Sequence, residues 1–255
     1  KSVTLSELAK KAKEFGFPAY HRPNGNTQLI KQFIAQDIPI ITRTWLKENE
    51  DVGHYRVIKG YDDTTGQLLQ DDSLQGHNLW YSYDTFNALW KKFNYEYLVL
   101  IPKEKETIAK QILGADADAK TAWQKAADNA RKELAANPDD VDAGFNLSVA
   151  LYNSGDYKTA VSEFEKVESK LSFRTLWYQI EPIQAYFVLE NYDRVFSITE
   201  NILNNHNRAF SELYIIRGKM YQKQGNIPAA KAEFEKAVFY NKNLKAAQEA
   251  LASVQ

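Results

Sequence analysis

The 255-residue sequence contains no cysteine, which excludes disulfides, cysteine-ligated zinc, iron–sulfur clusters and a thiol nucleophile among these residues. It also lacks any run of about 20 apolar residues, so we expect no membrane span within it. The net charge of −1 shows no basic excess, whereas broad nucleic-acid binding needs a basic surface. The sequence therefore predicts no nucleic-acid partner.

Patterns that hold a metal or a cofactor are missing as well. His21, His54 and His77 form no metal-ligand spacing, and the turn at residues 62–66 lacks the spacing of a calcium loop. The sequence has no Gly-rich phosphate loop and no Gly-x-Ser-x-Gly elbow. We therefore expect neither a metal nor a cofactor.

The chain starts without an initiator Met and without a signal peptide, and it enters a helical pattern at once. This start predicts that native sequence precedes residue 1. A signal or an anchor there would place the protein outside the cytoplasm or at the cell surface. The sequence as given leaves the compartment open.

The composition changes near residue 105. Residues 1–105 hold most of the histidines and mix helical with strand patterns, whereas residues 106–255 are rich in Ala and almost wholly helical. Pro102 ends the last strand pattern, and a charged run follows it. The sequence thus predicts two domains, 1–105 and 106–255.

The first half alternates helical and strand patterns. Thr4 and Glu7 form a capping-box pattern for a helix at 5–15, and further helices are predicted at 27–36 and 84–93. Strands are predicted at 38–45, 54–61, 67–70 and 95–101. This order is typical of an α+β domain with a mostly antiparallel sheet.

The second half contains three self-similar segments, whose turn residues Gly155, Asn191 and Gly225 lie 36 and 34 positions apart. Ala160 and Ala230 follow at equivalent positions. These segments resemble the tetratricopeptide repeat (TPR), which implies an all-α superhelix of paired helices. The repeats are predicted at 141–174, 177–208 and 211–242, with a degenerate helix at 123–136 and a capping helix at 244–253.

Stacked helix pairs form a concave groove that is lined by the first helix of each pair. By register, the predicted binding residues are Phe145, Tyr152, Tyr178, Glu181 and Lys219. The lining is not basic, and it does not match the Lys/Asn/Arg pattern with which some TPR proteins hold a C-terminal carboxylate. We expect a peptide or protein ligand in this groove. The alternative is that the groove packs on the first domain and binds nothing else.

The segment from Gly53 to Asp62 is the most informative part of the first domain. His54 opens a strand that turns at residues 62–66 and returns to Asp71. Since the ends of an antiparallel hairpin meet, we expect His54 and Asp71 to approach each other. An imidazole held by a carboxylate is the base half of a nucleophilic triad. The competing interpretation is a hydrogen-bonded core histidine and a carboxylate that caps a turn.

The same segment resembles papain-like cysteine peptidases of the bacteriocin-processing (double-glycine leader) type. Those show Gly-His-aromatic-Val-Val-x-Gly-Tyr-Asp and then a strand that ends in Asp-Pro. Here the match runs from Gly53-His54-Tyr55 to Gly60-Tyr61-Asp62 and then to Asp71, with Asp72 where Pro is usual. Further segments resemble the family in the right order over about residues 4–102. The resemblance implies a bacterial, papain-like α+β domain with His54 as base and Asp71 as its orienting carboxylate.

The family's nucleophile is a Cys at the start of a helix that precedes all of these segments. This sequence lacks that Cys, and its first helix does not match the catalytic helix, so two explanations remain open. The helix lies upstream of residue 1, or the domain is a pseudopeptidase kept for binding. Ser2 and Ser6 are poor substitutes, because Ser6 falls in the wrong helix. A purely structural TPR scaffold is a third interpretation.

Overall fold

The structure, a computed structural model, describes residues 3–254. It consists of an α+β region built on one antiparallel sheet, followed by a wholly helical region. None of the helices in residues 3–254 is long and apolar enough to cross a membrane.

Six strands and four α-helices form the first region from residue 3 onward, the part that the structure describes. The strands are β1 (Ala19–Arg22), β2 (Ile40–Trp45), β3 (Gly53–Asp62), β4 (Gln67–Asp72), β5 (Gly76–Ser82) and β6 (Tyr97–Leu100). The helices are α1 (Leu5–Glu14), α2 (Thr27–Ile34), α3 (Tyr83–Lys91) and α4 (Glu106–Leu113).

Up to residue 254, nine further α-helices form the second region. They are α5 (Ala119–Ala136), α6 (Val141–Ser154), α7 (Tyr157–Val167), the short α8 (Thr175–Tyr178), α9 (Glu181–Val188), α10 (Tyr192–Asn205), α11 (Ser211–Lys223), α12 (Ile227–Tyr240) and α13 (Lys245–Ala252).

The sheet separates two apolar layers. Its strand order is β1-β6-β2-β3-β4-β5, and every neighbouring pair is antiparallel. Ile30, Phe33 and Trp90 of α2 and α3 pack with Ile58 on one face. Helix α1 covers part of the other face, where its residue Leu5 is fully buried.

Local sequence signals account for most of these elements. The Thr4–Glu7 capping box of α1 is present, with the Thr4 hydroxyl accepting from the Glu7 N–H at 3.2 Å.

The sequence did not predict β1, which is only four residues long and lies between Pro18 and Pro23. It also did not predict β5, in which only Leu79, Trp80 and Tyr81 favour a strand.

The helices of the second region pair around the predicted turns. Gly155 and Gly225 end α6 and α11 in left-handed backbone conformations, with φ of 99° and 75°, which glycine adopts without steric cost. At the middle turn Glu190 has a φ of 57°, and Asn191 caps α10. The turn positions derived from the repeat spacing are therefore confirmed.

Small residues let the paired helices approach closely. Ala160 and Ala230 are fully buried, and the Ser148 hydroxyl of α6 donates to the Ala160 carbonyl of α7 at 2.7 Å. Phe164 and Phe234 fill the space between neighbouring helices and are also fully buried. This packing is what the repeat resemblance implied.

Helix α4 belongs by packing to the first region. Ala109 and Leu113 join the core that α2, α3 and the sheet share, whereas Trp123 of α5 joins the helical core. The sequence placed the domain boundary after residue 105. We propose that the division lies at residues 114–118, because this segment separates the two cores.

The turn between α3 and β6 docks onto the helical region. The Asn94 N–H donates to Asn146 Oδ1 at 3.2 Å, and Asn146 Nδ2 donates to the Lys91 carbonyl at 2.7 Å. Lys91 Nζ lies 2.6 Å from Asp140 and 3.0 Å from Glu133. Part of the first repeat is therefore occupied by the first domain.

Candidate functional site

The β3–β4 hairpin decides which carboxylate meets His54. Counted from the Asp62–Gln67 pair, a regular register would place Ile58 opposite Asp71, on the face that His54 shares. Instead a bulge between Ile58 and Gly60 places Val57 opposite Asp71. Since side chains alternate between faces, this one-residue shift turns Asp71 away and brings Asp72 to the His54 face.

His54 and Asp72 form the resulting pair. His54 Nε2 lies 2.9 Å from Asp72 Oδ1, although the ring nitrogen is not aligned for a full hydrogen bond. The His54 side chain is 12% exposed, and that of Asp72 is completely buried. With Nε2 on the carboxylate, Nδ1 is the ring nitrogen left for proton transfer.

Asp72 is held by more than the histidine. Its Oδ1 accepts the backbone N–H of Leu74 at 2.7 Å and that of Gln75 at 2.9 Å. Arg56, fully buried on β3, places its guanidinium 3.5 Å from Oδ2. The other donors of Arg56 reach Thr44, Gln75 and the Leu46 carbonyl. The carboxylate is therefore fixed in position.

These contacts keep Asp72 ionised. Burial opposes the charge, but the Gln75 and Leu74 N–H groups and the His54 imidazole outweigh it, so the pKa of Asp72 is lowered overall. A charged carboxylate beside an imidazole stabilises the imidazolium that forms when the ring accepts a proton.

The expectation that Asp71 pairs with His54 is thus corrected. Asp71 lies 2.7 Å from Lys59 Nζ and accepts the Asn78 N–H at 2.9 Å. Its role is local, because it ties the bulged strand β3 to the start of β5. The isolated Gly60 within a strand is the sequence signal that could have indicated the bulge.

The candidate hydroxyl nucleophiles do not join this pair. Ser6 is exposed on α1 and lines a cavity between the domains whose lining does not include His54. Ser2 lies outside the described residues. Within residues 3–254, no group of three or more His, Asp or Glu side chains could hold a metal ion.

That cavity receives three of the five predicted binding residues. Tyr152, Tyr178 and Glu181 line it from the helical side. Tyr178 also packs edge-on against Phe93, with ring centroids 6.0 Å apart, and its carbonyl accepts from Arg43 at 2.8 Å. The groove and the first domain thus enclose a common space.

Phe145 and Lys219 lie elsewhere. Phe145 is 3% exposed and packs in the helical core near Phe164, outside the lining of the 620 Å³ cavity. It lines a smaller space of about 260 Å³, whose other wall includes Trp45 and Phe93 of the first domain. Lys219 is exposed on α11 and is not among the residues that line the cavity.

Sequence reasoning did not single out the polar cluster on the other side of this cavity. His21 Nε2 lies 3.0 Å from Glu96 Oε2, and Arg43 approaches the same oxygen at 3.8 Å. These residues come from β1, β2 and the segment before β6, which are distant in sequence. The available sequence signal was a charged residue, Glu96, directly before an apolar strand pattern.

Comparisons with known proteins agree with this architecture. Residues 8–98 match the Peptidase_C39 like family, and residues 211–244 match the tetratricopeptide repeat. No protein of curated function matches the chain significantly.

Among solved structures, one titled "Crystal structure of MamA" has a TM-score of 0.46 at 17% identity, covering 53% of this chain and 78% of that one. Another, "MamA RS-1 ArsTM double mutant", has a TM-score of 0.43 at 18% identity, covering 60% and 91%. Likeness at this level carries no functional argument. The chain thus combines an α+β region that matches the peptidase C39-like family with a helical region that matches the tetratricopeptide repeat.

Proposed function

We propose that the first domain is a cysteine peptidase of the double-glycine-leader, bacteriocin-processing type, with a papain-like arrangement whose nucleophile lies outside these 255 residues. The observation that carries the proposal is the buried His54–Asp72 pair inside the family-matched segment. A histidine fixed by an ionised carboxylate is the acid–base half of such a site.

In the proposed reaction, His54 Nδ1 takes the proton of the thiol, and the thiolate attacks the scissile carbonyl carbon. The imidazolium then returns the proton to the leaving amine as the peptide bond breaks. A water molecule, deprotonated by His54, cleaves the acyl-enzyme and regenerates the thiol. Asp72 stabilises the imidazolium at each stage.

A non-enzymatic adaptor is the second candidate. In this proposal the first domain is a pseudopeptidase, and the molecule only binds peptides. The observation that favours it is the cavity of about 620 Å³ that lies between the domains and whose lining does not include His54. The absence of any Cys from the 255 residues also supports it.

Hydrolysis assays distinguish the two candidates. The substrates are a peptide with a Gly-Gly leader junction and a control peptide in which Ala-Ala replaces that pair. We expect no turnover by the 255-residue chain, because it has no thiol. The protein that includes its upstream native sequence should cleave the Gly-Gly peptide and leave the Ala-Ala peptide intact.

Variants of the extended protein assign the residues. His54→Ala and Asp72→Asn should each lower kcat by about 100-fold or more, as expected for loss of general acid–base catalysis. The matched control, Asp71→Asn, should retain activity. Turnover by the 255-residue chain that His54→Ala abolishes would overturn the argument from the missing thiol. Inactivity of the extended protein with either peptide would favour the adaptor.

A further inference from the structure

The cavity between the domains has a volume of about 620 Å³, is open to solvent on one side and is lined by residues of both domains. One wall is formed by α1 with β1 and β2, and the other by α5, α6, α8 and α9. This size is typical of sites for small ligands or a few residues of peptide. Neither domain would enclose this space alone.

On the sheet side of the cavity, the charged side chains are already paired with each other. Glu96 accepts from His21 and lies near Arg43, and the Glu96 and Arg43 side chains are only 5% and 6% exposed. Burial by itself would raise the pKa of Glu96, but the His21 hydrogen bond and the Arg43 charge lower it overall. Glu96 therefore adds no free negative charge to the site.

The helical wall is aromatic. Its rings belong to Trp123, Tyr152, Trp177, Tyr178 and Phe210. The indole N–H of Trp177 is buried and has no hydrogen-bond partner in the described part of the chain. An unpaired buried donor costs free energy that an acceptor on a ligand would recover.

The rim of the cavity is positively charged. Lys10 and Lys13 lie three residues apart on α1, are exposed, and make no ion pair among residues 3–254. Arg22 also lines the cavity, but its donors are taken by the carbonyls of His21, Asp116 and Ala117. Glu181 adds a carboxylate to the helical wall, but the four cationic side chains of the lining outnumber its two carboxylates. Of these cations, Lys10 and Lys13 are the ones without an ion pair or carbonyl partner among residues 3–254.

We propose that this cavity binds a short acidic peptide segment that carries an aromatic side chain. Its carboxylates pair with Lys10 and Lys13, and its ring enters the wall that Trp123, Tyr152 and Trp177 form. The proposal rests on the peptide binding of the second candidate function and is independent of hydrolysis at His54.

Fluorescence anisotropy with two labelled octapeptides tests the charge. One alternates Glu and Tyr, and the other has Lys in place of every Glu. The 255-residue chain should bind the Glu peptide at least about tenfold more tightly, and added salt should weaken binding. Equal affinity for the two peptides, or no binding of either, would overturn the proposal.

Charge reversal on α1 tests the rim. The double variant Lys10→Glu/Lys13→Glu should lose about tenfold or more in affinity for the Glu peptide and gain affinity for the Lys peptide. Lys11→Glu is the matched control, because Lys11 is exposed on the same helix but does not line the cavity. An equal loss in both variants would show that only the general charge of the helix matters.

A bulky substitution that fills the cavity tests whether the peptide binds there. Ala119 is exposed at the start of α5 and lines the cavity, so Ala119→Trp should block the site without disturbing a core. Ala115→Trp is the control, since Ala115 is exposed but lies outside the lining. Unchanged affinity in Ala119→Trp would place the peptide elsewhere and overturn this site, whether or not peptide binds another part of the repeats. His54→Ala should bind normally and thereby separates this site from the catalytic proposal.

Discussion

Asp71 and Asp72 are adjacent in sequence but lie in opposite environments. Asp72 is buried among His54, Arg56 and two backbone N–H groups, whereas Asp71 forms a partly exposed pair with Lys59. A buried charge that loses its partner is costly, whereas surface pairs contribute little.

Asparagine substitutions at the two positions should therefore differ in stability. Asp72→Asn leaves the Arg56 charge buried without its carboxylate, and we expect the free energy of unfolding to fall by about 3 kcal/mol. Asp71→Asn should leave it nearly unchanged. Urea denaturation of both variants measures the difference, and equal effects would contradict the environment assigned to Asp72.

Glu96 gives stability a dependence on acid pH. Because its folded pKa is lowered from an ordinary value of 4.5, its ionised form stabilises the fold above that pH. This contribution is lost as the pH falls through the lower folded pKa. The free energy of unfolding, measured from pH 6 downward, should therefore decline below about pH 4.5.

Glu96→Gln should flatten that decline. The remaining acid sensitivity would come from other carboxylates with lowered pKa, such as Asp72. An exposed carboxylate, Glu235, supplies the control substitution Glu235→Gln, which should leave the curve unchanged. If the free energy of unfolding of Glu96→Gln falls as steeply below pH 4.5 as that of the parent, the His21–Glu96 contact is not the cause of the decline.

At the scale of elements, the pair α11 and α12 depends on a glycine inside a helix. A Cβ atom at Gly218 would lie 2.3 Å from Phe234 Cε1, closer than any tolerated contact. Alanine within a helix is normally more stable than glycine by about 1 kcal/mol. Here the steric conflict should reverse that preference.

We expect Gly218→Ala to destabilise the helical domain by about 1–3 kcal/mol through overpacking. Lys219→Ala, at the exposed neighbouring position, should have little effect. Melting temperatures of the two variants decide the question. A Gly218→Ala variant that is as stable as the parent would contradict the close α11–α12 packing.

At the scale of the molecule, Asn146 links the two domains. Its side chain accepts the Asn94 N–H and donates to the Lys91 carbonyl, and its own carbonyl accepts from Asn94 Nδ2 at 3.1 Å. Asn94 and Asn146 are 3% and 2% exposed, so water cannot replace these bonds readily.

Asn146→Ala should therefore uncouple the domains as well as destabilise the chain by about 2 kcal/mol. We expect calorimetry to show one transition for the parent and two for Asn146→Ala, and proteolysis at residues 114–118 should be faster in the variant. Asn153→Ala on the same helix removes only a bond to the Val149 carbonyl and is the control. A single transition in Asn146→Ala would show that other contacts suffice for coupling.

The sequence by itself determined the periodic features of this protein. The turn residues Gly155, Asn191 and Gly225, the small residues at helix crossings and the capping box at Thr4 act through local geometry, which a linear pattern records. The family resemblance of residues 8–98 was likewise visible in short motifs such as Gly53-His54-Tyr55. These signals predicted an α+β domain followed by tetratricopeptide repeats.

Only the tertiary structure decided which residues meet. The bulge before Gly60 shifts the hairpin by one residue and exchanges Asp71 for Asp72 beside His54, and a strand pattern does not record such a shift. The His21–Arg43–Glu96 cluster joins three separate segments, and docking of the first domain adds a second wall to the groove of the helical region. Such features depend on how elements that are distant in sequence pack against each other, which a linear pattern does not record.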